Sequence, residues 1–215
     1  MRRAALALAF LLAALLPANA QRYGEPGQFD FYVLSLSWSP SYCETAGNRA
    51  DPAQCRRGKP LSFVIHGLWP QYDRGYPQDC SYNAPRVSER TINSMLDIMP
   101  SRRLIIYEWR KHGTCSGLSP DDYFALVRRA FERVKIPAQF EHTSQWQTVS
   151  PPEIENAFRV ANPKLEGDMI AVTCDRRHLR EVRICMSKDL QFRACPQVDR
   201  QACRNPKVAL PPVRG

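Results

Sequence analysis

The chain has 215 residues and a formal net charge of +9, because 30 lysines and arginines outnumber 21 aspartates and glutamates. This surplus of positive charge favours polyanionic partners such as nucleic acids, although many basic exported proteins bind none. The sequence contains no internal repeat, and its one long apolar stretch lies at the start. These features exclude a repeat protein and a multispan membrane protein.

The first 20 residues have the pattern of a secretory signal peptide. Arg2 and Arg3 precede an apolar stretch over residues 4–16, and small residues at 17–20 suit a signal peptidase. The stretch is short for a membrane span, which disfavours the alternative of a membrane anchor. We therefore expect residues 21–215 to form a single monomeric domain, secreted or periplasmic, with a net charge of +7 and no membrane attachment.

Two strands are predicted at the start of this domain. Large apolar residues alternate with smaller or polar ones over residues 29–38, and an apolar stretch of strand length covers 61–66. A loop rich in Pro, Gly and charged residues separates the two strands. A second loop, over residues 67–85, is rich in Trp, Tyr, Pro and Gly, so we expect packed rings and a disulfide to shape it.

Helix signals follow in the middle of the chain. Gly113 is placed to end one helix as its C′ residue, and Ser119 is placed to cap the next. Ser150 and Glu153 have the spacing of a capping box. With apolar residues at helical spacing, these signals predict helices at residues 87–99, 102–112, 120–135 and 151–160.

Strand signals return near the C-terminus. β-Branched or alternating residues predict strands at 168–173, 182–186 and 190–194, with a turn at 187–189 and an extended tail from Pro206. Strands, then helices, then strands again is the element order of an α+β fold.

All eight cysteines lie beyond the predicted signal peptide, and an even count in an exported chain predicts four disulfides. Structural zinc is the alternative, but there is no CxxC pair and the four histidines lack finger spacing. The sequence alone does not choose among the possible pairings. The cysteines are Cys43, Cys55, Cys80, Cys115, Cys174, Cys185, Cys195 and Cys203.

Two segments carry the residue types of a proton-transfer site. His66 ends the second predicted strand in the sequence FVIHGLWP, and residues 107–115 read YEWRKHGTC. Helical spacing puts Glu108, Lys111 and His112 on one side of their helix, where a carboxylate, an ammonium and an imidazole can act together on a phosphate. The spacing leaves an ordinary alternative open: a structural histidine and a charged helix face.

The two segments resemble the two active-site segments of the ribonuclease T2 family, His-Gly-Leu-Trp-Pro and Glu-Trp-x-Lys-His-Gly-Thr-Cys. The resemblance implies an α+β fold with a central antiparallel sheet, flanking helices and disulfides. It also implies that no metal or other cofactor takes part. The catalytic residues carried over are His66, Glu108, Lys111 and His112. At Tyr107 the family often has a phosphate-holding histidine, and since tyrosine can also donate a hydrogen bond, we expect altered affinity or pH response at this position.

The activity implied by the resemblance is cleavage of single-stranded RNA through the 2′-hydroxyl, which DNA lacks. His112, oriented by Glu108, would act as general base and protonated His66 as general acid, while Lys111 with Glu108 stabilises the transition state. The products would carry 2′,3′-cyclic phosphates, with later hydrolysis to 3′-phosphates.

Base recognition is assigned by the same resemblance to Trp69, Gln71 and Tyr76, with weak base preference. The alternative is that Trp69 packs against His66 and that Tyr76 anchors its loop. The resemblance also implies four disulfide pairs: Cys43–Cys55, Cys80–Cys115, Cys174–Cys203 and Cys185–Cys195.

Three other functions remain to be weighed against this one. A catalytically silent RNA-binding or storage protein would usually lack one of the two histidines. A toxin or recognition ribonuclease that depends on a partner would carry an extra module. A metal-dependent nuclease would need several convergent carboxylates.

Overall fold

A computed structural model describes residues 24–56 and 58–213, so the predicted signal peptide lies outside the described residues. The strands of this region are β1 Phe31–Trp38, β2 Phe63–Gln71, β3 Gln147–Val149, β4 Ile170–Cys174, β5 Leu179–Met186 and β6 Val208–Leu210. Its α-helices are α1 Ser39–Ala46, α2 Pro52–Cys55, α3 Glu89–Met95, α4 Arg102–Lys111, α5 Pro120–Glu132, α6 Pro151–Ala161 and α7 Pro196–Asp199.

A four-stranded antiparallel sheet in the order β2-β1-β5-β4 forms the centre of the fold. One face of β1 buries Leu34, Leu36 and Trp38 in the main hydrophobic core. Side chains from α3, α5 and α6 cover this face, including Ile92, Tyr123, Phe124, Val127, Ile154 and Phe158. The predicted α+β fold with a central antiparallel sheet and flanking helices is confirmed.

The opposite face of the sheet carries polar residues beside a small apolar cluster. Phe31 and Val33 pack there with Cys185 of β5. Further along the same face come Ser35 and Ser37 of β1, which are register partners of Arg183 and Glu181 on β5. Because strand side chains alternate between faces, this face is open to polar chemistry while the other is sealed by helices.

The helix starts predicted at residues 120 and 151 are confirmed by their caps. The Ser119 hydroxyl accepts a hydrogen bond from the Asp122 amide at 3.2 Å, and Ser150 and Glu153 form the complete capping box. Gly113, however, does not end α4 in a left-handed conformation, since the chain continues into a 3-10 helix at Gly113–Ser116. A Cβ at Gly113 would overlap Trp109 and Tyr123, so packing requires the glycine.

Several segments differ from their predictions. The helix predicted at residues 87–99 is the shorter α3 Glu89–Met95. β2 continues to Gln71, so the first residues of the predicted 67–85 loop are strand. The loop between β1 and β2 contains the short helices α1 and α2. Residues 190–194 form no strand but one isolated bridge between Phe192 and Met186, because Leu190 takes a positive φ of 60° that breaks the extended backbone.

Four disulfides join Cys43 to Cys55, Cys80 to Cys115, Cys174 to Cys203 and Cys185 to Cys195, the pairs that the resemblance implies. The predicted extended tail forms β6, which pairs with β3 in a second, two-stranded sheet. None of the helices in the described part of the chain is long and apolar enough to cross a membrane.

Candidate active site

A bulge in β2 sets the position of His66. Ser35 of β1 pairs with Gly67 and Leu36 pairs with Ile65, so His66 has no partner across the strand. The bulge lets Ile65 and Leu68 both enter the core although they are three residues apart. His66 and Trp69 consequently lie together on the polar side, with ring centroids 5.2 Å apart.

Helix α4 and the residue that follows it supply the second half of the site. Glu108 and Lys111 occupy the last turn of α4, and His112 is its C-cap, with its amide donating to the Glu108 carbonyl at 2.9 Å. Glu108 and His112 are buried, at 1% and 9% exposure. Asp79 of the preceding loop donates its amide to the Lys111 carbonyl at 2.8 Å.

These two halves meet in one cavity of about 420 Å³, called here the His66 cavity. All eight site residues predicted outside the disulfides line it: His66, Trp69, Gln71, Tyr76, Tyr107, Glu108, Lys111 and His112. The structure therefore brings the two sequence segments together on the polar side of the sheet.

The Glu108 carboxylate contacts Trp69 and His66. The Trp69 indole donates to Glu108 Oε2 at 2.7 Å, and His66 Nε2 lies 3.7 Å from Glu108 Oε1. Burial raises the pKa of Glu108 to about 7, against the opposing effects of His66 and the Trp69 hydrogen bond. The carboxylate does not pair with the His112 ring that it was expected to orient, because β2 brings His66 and Trp69 against it.

The His112 ring is packed in an environment that disfavours its charged form. Burial, with the positive charges of Lys111 and His66, lowers the pKa of His112 to about 3. Its ring lies 5.4 Å from that of Trp69, and its Nδ1 has no hydrogen-bond partner among the residues that the structure describes. His112 is therefore a neutral imidazole at ordinary pH.

The His66 ring is in the opposite electrostatic situation. Burial by itself lowers the pKa of His66, but a hydrogen bond and negative charge from Glu181, with the charge of Glu108, raise it above its usual value. The bond joins His66 Nδ1 to Glu181 Oε1 at 2.5 Å. The two histidines of one cavity therefore favour opposite protonation states, as a general acid and a general base require.

Glu181 and Arg183 of β5 contact His66 and Trp69, and neither was predicted from the sequence as a site residue. The Arg183 guanidinium donates to Glu181 Oε2 at 2.8 and 3.0 Å, and it lies 5.2 Å from the Trp69 ring centroid. Burial alone would raise the pKa of Glu181, but His66 and Arg183 lower it to about 2. The sequence did contain one signal for them. Opposite charges two residues apart in a strand lie on the same face of the sheet, where they can form an ion pair.

Comparison with known proteins assigns the family of this chain. Residues 29–195 match the sequence model of the Ribonuclease T2 family. The chain belongs to that family. A relative from Aeromonas hydrophila, named Ribonuclease, is 36% identical over 193 residues that cover 88% of this chain and 86% of the relative. Ribonuclease I from Escherichia coli K12 is 28% identical over 225 residues, covering 85% of this chain and 83% of the relative.

The fold comparison agrees with this assignment. The RNase-related protein from Calystegia sepium superposes with a TM-score of 0.68 at 24% identity, over 89% of this chain and 100% of that one. Membership in the ribonuclease T2 family makes the chain a ribonuclease, whose substrate is RNA. The T2-like segments that predicted the family are the ones that line the His66 cavity.

At Tyr107 this T2-family chain departs from the frequent histidine. The side chain is 50% exposed at the edge of the His66 cavity, with the Lys111 ammonium 5.5 Å from its ring centroid. The partly buried Trp69 ring lies against Arg183, His66 and His112, contacts that favour its packing alternative over base stacking. Tyr76, 53% exposed on the same cavity, has a ring that is open to solvent.

Proposed function

We propose that this ribonuclease is an endoribonuclease that cleaves single-stranded RNA through the RNA's own 2′-hydroxyl, without a metal ion and with weak base preference. The observation that carries the proposal is the pair of histidines in the His66 cavity, one held towards its protonated form and one towards its neutral form. The first products are 2′,3′-cyclic phosphates, which the same site hydrolyses to 3′-phosphates.

In the first step, the 2′-oxygen attacks the adjacent phosphorus and its proton passes to His112. The bond between phosphorus and the 5′-oxygen breaks, and that oxygen takes a proton from His66. His112 suits the role of base because its low pKa keeps it neutral, and His66 suits the role of acid because its raised pKa keeps it protonated. Hydrolysis of the cyclic ester reverses the two roles.

The remaining side chains stabilise and hold the reacting phosphate. The Lys111 ammonium offsets negative charge on the non-bridging oxygens, and the Tyr107 hydroxyl donates a hydrogen bond to them. Glu108 holds Trp69 and the imidazole of the proposed acid His66, because these are the side chains that it contacts. This role replaces the expected orientation of His112.

Base binding falls mainly to Tyr76, whose exposed ring can stack on an unpaired base. We assign the contact to the base edge to Gln71 and the packing behind the phosphate to Trp69, since both line the same cavity. Stacking with few contacts to base edges gives weak base preference, as proposed.

Export of a monomeric enzyme completes the proposal. The predicted signal peptide directs residues 21–215 to the periplasm or the medium, where four disulfides persist.

Cleavage of a short RNA in EDTA tests the proposal with the variants His66→Ala and His112→Ala. We expect each variant to lose at least about 100-fold in kcat, because each removes one proton-transfer group. His142→Ala, at an exposed histidine outside the His66 cavity, is the matched control and should keep wild-type activity. A wild type that binds RNA without cutting it, or cuts only with added metal, contradicts the proposal.

A further inference from the structure

We propose that Glu181 and Arg183 are positioning residues for RNA cleavage: Arg183 fixes the Glu181 carboxylate, and Glu181 holds the His66 ring with Nε2 directed at the reacting phosphate. The inference rests on the proposed function, since it deepens the role of His66 as the general acid. Neither residue belongs to the two sequence segments that identified the family.

The Glu181 carboxylate is buried, at 5% exposure, and both of its oxygens are in use. Oε1 takes the bond from His66 Nδ1 at 2.5 Å, and Oε2 takes two bonds from the Arg183 guanidinium at 2.8 and 3.0 Å. A charged carboxylate is stable in a buried position only with such partners. A carboxylate that is held in place fixes the orientation and tautomer of the imidazole bonded to it.

The sheet explains how Glu181 reaches a histidine two strands away. In the order β2-β1-β5, the strand between them places Ser35 and Ser37 beside Arg183 and Glu181. Side chains as small as serine leave the space above β1 open, so the Glu181 carboxylate spans it to His66. A large side chain at either serine would fill that space.

The contacts form a closed network of five side chains that includes His66. Arg183 lies against the Trp69 ring, Trp69 donates to Glu108, and Glu108 faces His66 Nε2 at 3.7 Å. With Nδ1 committed to Glu181, Nε2 is the nitrogen that faces the His66 cavity. Within the described part of the chain, the charged or titratable groups that line the two clefts beside His66 are Glu181 and Arg183 on β5, Glu108, Lys111 and His112 at the end of α4, Asp175 and Arg180, and the tyrosines Tyr42, Tyr76 and Tyr107.

Two substitutions in this network should move the pH profile of kcat/KM in opposite directions. Glu181→Gln keeps the shape but removes the charge that holds the His66 proton, so the basic limb of the kcat/KM profile moves to lower pH. Arg183→Met removes a positive charge that lowers the pKa of His66, so the basic limb moves to higher pH. Each variant should lose about 10- to 100-fold in kcat with little change in KM, because the His66 imidazole is no longer held in the geometry for proton transfer.

The conservative variant Glu181→Asp should keep the basic limb near its wild-type pH, because the negative charge remains. The matched control is Glu155→Gln, which removes a carboxylate of α6 that accepts from the Val172 amide at 3.1 Å, away from the His66 cavity. Its pH profile and kcat should equal those of the wild type.

The outcomes separate the inference from the proposed function. If wild type cleaves RNA and His66→Ala does not, but Glu181→Gln keeps the wild-type kcat and basic limb, the inference is wrong and the proposed function stands. A rise in KM alone for Arg183→Met would also overturn it, since that assigns Arg183 to RNA binding. Should Glu181→Gln fail to fold, the Arg183→Met profile decides alone, because it leaves the carboxylate in place.

Discussion

Gly67 is a residue at which the backbone of β2 passes close to the Glu108 carboxylate. A Cβ built on this residue would overlap Glu108 Oε2 and Trp69 Nε1, the two atoms joined by the 2.7 Å hydrogen bond. The backbone approach that the glycine allows therefore brings Glu108, Trp69 and His66 into contact. The glycine of the His-Gly-Leu-Trp-Pro segment therefore has a steric role beside the proton-transfer role proposed for His66.

Gly67→Ala should consequently damage the site without removing any reactive group. The added methyl pushes Glu108 away from Trp69, so we expect a fall in kcat of at least tenfold and a loss of about 1–3 kcal/mol in the free energy of unfolding. Steady-state kinetics and urea unfolding measure both quantities. Gly167→Ala, where a Cβ meets nothing within 4 Å, is the control, and a Gly67→Ala variant with wild-type kcat would refute the steric role.

At the scale of elements, the Cys80–Cys115 disulfide joins the loop after β2 to the 3-10 helix after α4. Cys115 is fully buried, and the bond lies near the hydrogen bond from the Asp79 amide to the Lys111 carbonyl. The bond therefore connects the parts of the chain that carry Tyr76 and Lys111. Cys43–Cys55 closes a shorter loop, with a sequence separation of 12 against 35, and no residue between its two cysteines lines the His66 cavity.

Replacing each of these two pairs by serines should separate stability from activity. Both double variants should lose about 3–4 kcal/mol in the free energy of unfolding, because each releases a closed loop in the unfolded chain. Only Cys80→Ser/Cys115→Ser should also lower kcat/KM, measured where each variant is still folded. An equal loss of kcat/KM in both would show that this disulfide does not align the site.

At the scale of the whole molecule, helices marked by local sequence signals could be predicted better than contacts between strands that are distant in the sequence. Ser119 and Ser150 marked helix starts that the structure has, and the family resemblance named eight residues that share one cavity, six of them within the two motif segments. The bulge at His66 could not be predicted, since it depends on the register of β1 against β2. Glu181 was missed for the same reason: its partner lies two strands away, at a separation of 115 residues.

The central claim is that the 2′-hydroxyl of the RNA is the nucleophile, with one neutral histidine as general base and one protonated histidine as general acid. The most direct test is a short single-stranded RNA with one 2′-deoxynucleotide, digested in EDTA with mass detection of the products. We predict cleavage at the ribose linkages, with 2′,3′-cyclic phosphate ends, and an intact linkage after the deoxynucleotide. Cleavage at that linkage would mean that water or another nucleophile attacks the phosphorus, and the account would be wrong.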